Sequence, residues 1–248
     1  MKAVFNTLQN FYEYLEKLGP AKSINLMRSV GYDRVTSLSL KVHKDRIIAL
    51  ASALSEKKIL ELLNNIPETD IIEIMEFNSD DELIYYIENL SMQDMKYVSA
   101  NIAPSDMGMM AQEISKETCV ALLKSLGVEK AVGIINYAGA QKIVDLVKEL
   151  DIERLAILGK SLSLAETKKW IRKRGLDDLI PIVRSIGVDN ILILIDSLGF
   201  TKCLELIELL GTEKMIELTH KISKMKFPHQ KTHPAKVHKK RERKNSHH

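Results

Sequence analysis

The sequence predicts an all-α fold: an α-solenoid, or superhelix, of about eighteen short helices built from a 12-residue repeat, followed by a disordered C-terminal tail. Three observations carry this prediction. Written in twelves from Leu8, the chain makes eighteen units up to Ser223 with no insertion or deletion. Position 7 of the unit is apolar or aromatic every time, from Tyr14 through Tyr86 and Trp170 to Leu218. Position 12 is Gly in eight units, although the whole protein holds only 11 glycines.

Each unit carries the parts of one helix. Positions 4, 7, 8 and 11 make the apolar set, which is the spacing of a single helix face. Position 11 departs from it only at Asn78 and Arg174. Position 2 is often Asp, Glu, Gln, Ser or Thr, which suits a helix start. Gly at position 12 predicts a left-handed helix stop. One long helix is excluded, because twelve residues advance about 1200°, three turns plus roughly 120°, and successive position-7 side chains would point three ways. Helices of about nine residues are therefore expected, paired as antiparallel hairpins of two units and extending roughly 80 Å in all. Helices so short are unstable alone and need their neighbours.

The ends and two inner units are less regular. Residues 1–7 form a lead-in, and with the first unit they carry Phe5, Phe11, Tyr12 and Tyr14, which read as a cap over the exposed end of the array. Pro181, at position 6, predicts a local irregularity near a helix start. The unit LAETKKWIRKRG from Leu164 puts Lys168 and Lys169 at normally semi-apolar places.

Composition narrows the function classes. Apolar residues make up 45% of the chain and aromatics only 5%, which suits helix packed on helix. No apolar run is longer than that of Ile191 to Ile195, far short of the roughly 20 residues a membrane span needs. No signal-peptide pattern is seen, and two cysteines make no disulfide framework, so a cytoplasmic protein is expected. The net charge of +3 conceals an asymmetry. Residues 224–248 hold nine Lys or Arg against Glu242, a net +8, which leaves −5 on residues 1–223. The domains expected are the lead-in, the superhelix over 8–223 and a basic tail over 224–248, the pattern of a folded module with an interaction arm.

The stretches NNIPETDIIEIMEFN from Asn64 and LSMQDMKYVSANIAPSDMG from Leu90 resemble the repeats in the cytoplasmic N-terminal domain of MgtE-type magnesium transporters. More distantly, the chain is similar to the helical repeats of the flagellar motor switch protein FliG. The resemblance covers most of 8–223 and implies a superhelical interaction or regulatory module. A transmembrane part and a segment like the cystathionine-synthase-type domains of that family are not seen here, which separates this chain from a magnesium gate.

Several groups of residues are candidates for chemistry. Acidic clusters at helix starts, Glu68 with Asp70, Asp80 with Asp81 and Glu82, and Asp177 with Asp178, offer oxygen ligands of the kind Mg²⁺ takes, but they equally suit the helix dipole. Cys119 and Cys203 both fall at position 4, seven units apart, and read as small core residues. Lys168, Lys169, Arg172, Lys173 and Arg174 surround Trp170 and form a candidate anion-binding patch, with Trp170 itself at a core position. In the tail, Lys239, Lys240, Arg241, Arg243 and Lys244 would attract nucleic acid or an anionic membrane surface. The tail histidines are separated by Pro228 and Pro234, which argues against a helical metal site. No cofactor motif or catalytic constellation is recognised. Ile191, Leu192, Ile193 and Ile195 form the most apolar stretch and a candidate docking surface for a protein partner. The reading is a non-enzymatic scaffold or adaptor. A nucleic-acid or anionic-surface binder and a magnesium-responsive domain are its alternatives.

Overall fold

The computed structural model describes residues 12–176 and 179–224. Every described segment with regular structure is helical. The first half comprises α1 (12–18), α2 (Pro20–Val30), α3 (Tyr32–Lys41), α4 (Lys44–Ala53), α5 (Glu56–Asn65), α6 (Glu68–Phe77), α7 (Asp80–Asn89), α8 (Met92–Asn101) and α9 (Pro104–Ile114). The second comprises α10 (Lys116–Leu126), α11 (Val128–Ala138), α12 (Ala140–Leu150), α13 (Ile152–Ser161), α14 (Leu164–Arg174), α15 (Leu179–Ile186), α16 (Val188–Leu198) and α17 (Phe200–Lys224). Gly211 bends α17 into two unit helices. One helix per 12-residue unit is thus observed across the repeat region, and nearly all begin at position 1. In α15 the described span begins at Leu179, and Pro181 falls in its first turn, where the missing N–H costs little.

The joints between helices are of two kinds. Where position 12 is Gly, as at Gly31, Gly127, Gly139, Gly187 and Gly199, that one residue closes one helix and opens the next. The conformation is not the left-handed helical stop expected from sequence: Gly139, for example, has φ 90° and ψ 141°, a positive-φ extended corner that only Gly enters without strain. Ser115 (φ 76°) and Asp151 (φ 58°) take the same corner and offset part of its cost by capping, their side chains accepting from the N–H of Thr118 and Arg154. The second kind has two extended residues, as at Leu54–Ser55, Asn78–Ser79 and Leu162–Ser163. There the position-11 side chain leaves the helix and turns into the core. Leu54, Ile66, Asn78 and Leu162 are all buried in this way.

The helices are not arranged as two-unit hairpins. Beyond contacts with sequence neighbours, the dominant packing is on the helix three units away: α6 on α9, α9 on α12, α10 on α13, α8 on α11 and α11 on α14. Three units, or 36 residues, therefore make one turn of the superhelix, and eighteen units make six turns. At about 9 Å per layer the stack is roughly 55 Å long, shorter than a hairpin array of the same sequence.

Polar contacts between turns follow the same register. Position 10 of one unit meets position 9 of the unit three later, 35 residues on, as in Glu113 with Lys148, Tyr137 with Arg172, Glu149 with Arg184 and Lys173 with Glu208. A cation at position 3 reaches the carbonyl of the joint residue 32 positions on. Lys22 donates to Leu54 O (3.0 Å), Arg34 to Ile66 O (3.4 Å), Arg46 to Asn78 O (2.6 Å) and Lys130 to Leu162 O. These carbonyls lie just past a helix C-terminus, where positive charge is favoured.

Position 7 lies inside. None of these residues is exposed, and together with positions 4 and 8 they form one continuous apolar core from Val42 to Met215. At the N-terminal end Tyr14, Leu26, Leu38, Leu50 and Leu62, all at position 7, help line a cavity of about 130 Å³.

Candidate binding surfaces

The basic unit α14 divides cleanly between core and surface. Trp170 is buried, edge-on to Phe200 with ring centroids 5.7 Å apart. It is therefore a core residue and is closed to stacking with a ligand. The aromatic of this patch is instead Tyr137, exposed on α11 one turn earlier. Lys168 Nζ lies 5.8 Å from the centre of its ring, and Arg172 Nε donates to its hydroxyl at 3.3 Å. That bond to the phenol is the main cause of a raised Arg172 pKa. Lys169 and Lys173 are exposed beside them, and Lys173 pairs with Glu208 at 3.8 Å. One turn below, α8 adds exposed Lys96 and Tyr97, and Asn136 of α11 donates to Asn101 O at 2.8 Å. The stacked helices α8, α11 and α14 thus present a ridge of aromatic and basic side chains. The side chain of Arg174 and the tail cations Lys239, Lys240, Arg241, Arg243 and Lys244 lie outside the described residues.

The apolar stretch of α16 is mostly interior. Ile191 is buried, and Leu192 and Ile195 pack against the core, so of the four residues read as a docking surface only Ile193 is exposed. The stretch is apolar on several faces because α16 lies between α13, α15 and α17. Ile193 shares position 6 with exposed Ile157 of α13, one turn earlier.

The acidic clusters are engaged where they are described. Glu68 accepts from Ser37 Oγ at 2.5 Å and Lys41 Nζ at 3.5 Å, and the Ser37 bond first, then Lys41, holds its pKa below the usual carboxylate range. Asp80 pairs with Arg46 at 2.7 Å and Asp81 with Lys116 at 3.9 Å, while Glu82 closes a capping box with Ser79. Asp177 and Asp178 lie outside the described residues. Among the described residues no group of three His, Cys, Asp or Glu is placed to hold a metal ion. Burial pushes the Cys119 thiol up to about 12 and the Cys203 thiol up to about 11, so neither is a nucleophile at neutral pH. No helix among the described residues is long and apolar enough to cross a membrane.

Sequence reading alone missed Tyr137. Its signal was available: it stands 35 residues before Arg172, the distance between facing positions 10 and 9 of adjacent turns. Seeing it requires knowing that a turn is 36 residues.

Compared with protein-family models, with curated proteins and with solved structures, the chain shows no match.

Proposed function

We propose that this protein is a non-enzymatic helical-repeat scaffold that holds a protein partner on the α8–α11–α14 ridge, with the basic tail adding electrostatic anchoring. The observation that carries the reading is Tyr137, exposed on α11 and flanked by Lys168 and Arg172 from the next turn. Tyr and Arg held together on a preorganised surface are the side chains that dominate protein interfaces. The positive ridge calls for a partner with acidic or carboxylate-rich contacts. The resemblance of residues 64–78 and 90–108 to an interaction domain of magnesium transporters supports the same class.

The test is affinity capture from native lysate with three baits: full-length protein, a form ending at Ser223, and full-length Arg172→Glu. The scaffold reading expects one protein to be recovered by the first two baits and lost with the third. Recovery unaffected by Arg172→Glu contradicts it.

The concentration of cations in the ridge and tail favours a second reading, binding of nucleic acid or an anionic surface. It expects recovery that falls steeply with salt and disappears on deleting residues 224–248. A magnesium-responsive role, the third possibility, requires carboxylates that are now paired with Ser37, Lys41, Arg46 and Lys116 to exchange those partners for the ion.

A further inference from the structure

The rule that joins one turn to the next also describes the two ends of the superhelix. Position 10 of a unit looks toward the following turn and touches positions 5 and 9 of the unit three later. Tyr137 lies against Lys168 and Arg172 in this way, and the backbone of Phe77 lies against Gly108. Position 5 accordingly looks back at the preceding turn. Apolar side chains there are buried at Ile48, Val120, Val132, Val144 and Leu204, while Lys96 at the same position is exposed.

At the ends these same positions carry exposed apolar side chains. Leu209, at position 10 of α17, is 79% exposed. Tyr12 and Ile24, at position 5 of α1 and α2, are 71% and 45% exposed, and Leu40, at position 9 of α3, is 63% exposed. The C-terminal end thus presents a forward-looking face and the N-terminal end a backward-looking one, the two halves of the contact that repeats through the interior.

We propose that the two faces meet in successive copies of this chain, which stack head to tail as a continued superhelix. The phase supports this occupant. Eighteen units at three per turn make six whole turns, so a second copy begins on the side where the first leaves off. In that register Leu209 of one copy falls against Ile24 of the next, as Tyr137 falls against Lys168. Exposed Lys202 and Lys214, at the position-3 place of the joint-capping cations, fall toward the joints that follow α1 and α2 of the next copy. The contact is heterologous: it joins unlike faces and leaves one of each free for further copies.

The test is the weight-average mass of the full chain by sedimentation or light scattering, across a wide concentration range and in high salt to screen the basic tail. The mass is expected to rise with concentration above 28.1 kDa, the mass of one chain. Leu209→Glu and Ile24→Glu change exposed residues, and circular dichroism checks that each variant remains folded. Each alone is expected to stay monomeric. Mixed in equal amounts, they are expected to form a dimer and nothing larger, because each supplies the face the other lacks. A wild-type protein monomeric throughout overturns the proposal, and so does a single variant that still dimerises or a mixture that stays monomeric.

Discussion

Replacing Arg46 tests the joint-capping contacts. From α4 its guanidinium crosses to the α6–α7 joint, where Nε meets Asp80 Oδ1 at 2.7 Å, Nη2 donates to Asn78 O at 2.6 Å and Nη1 donates to Met75 O. The side chains of Arg46 and Asp80 are 26% and 32% exposed, so water screens the pair in part and the full value of a buried charged hydrogen bond does not apply. At about 1 kcal/mol for each of the three contacts, Arg46→Ala should lower unfolding free energy by roughly 2–3 kcal/mol. Asn78 adds to the effect, because its Oδ1 is already buried without a partner and the loosened joint is poorly placed to supply one. The assay is urea denaturation followed by circular dichroism, with a double-mutant cycle adding Asp80→Ala. The cycle should return a coupling of about 0.5–1 kcal/mol, since the residues touch. A loss below about 0.5 kcal/mol for Arg46→Ala, or no measurable coupling, would refute the reasoning and the 32-residue register with it.

Other consequences concern packing, corners and charge. Gly108→Ala should cost at least about 1–3 kcal/mol, because the new methyl meets the backbone carbonyl of Phe77, which cannot swing aside; an unchanged denaturation midpoint would contradict the close approach of α6 and α9. Ser115→Gly should raise stability by about 1 kcal/mol, because relief of the positive-φ corner outweighs a weaker cap, and a measured loss would argue against that corner. The depressed pKa of Glu68 makes its contribution present above the unfolded-state value and lost as pH falls through the folded one. Glu68→Gln should therefore flatten the acid-side fall in urea midpoint, and an unaltered slope would show that Glu68 does not contribute. Since Glu68, Asp80, Asp81 and Glu82 are engaged, millimolar Mg²⁺ should leave the melting temperature unchanged, and a saturable rise would restore the magnesium reading.

Much of the fold was legible because a 12-residue period states itself eighteen times. The helix at each unit, the interior place of position 7 and the buried cysteines all follow from apolar spacing alone. The number of units per turn did not, because spacing tells which face is buried but not at what angle the next helix leaves. That angle lives in the one or two residues of the joint, and a Gly at position 12 allows several corners. The clue was electrostatic: Lys22, Arg34, Arg46 and Lys130 each precede a two-residue joint by 32 residues. The same ignorance hid Tyr137, and it made the Ile191–Ile195 run look like an outer surface when neighbours on three helices cover most of it.

The measurement that tests the three-unit turn most directly uses spin labels at position 2, which is exposed at Gln93, Glu117 and Glu129. Dipolar broadening is compared for the pairs 93/129 and 93/117, three and two units apart. The three-unit turn predicts the stronger coupling in 93/129, whose labels stand one layer apart at about 10 Å. Stronger coupling in 93/117 would mean a hairpin array, and the ridge and end faces derived from the 36-residue turn would fall with it.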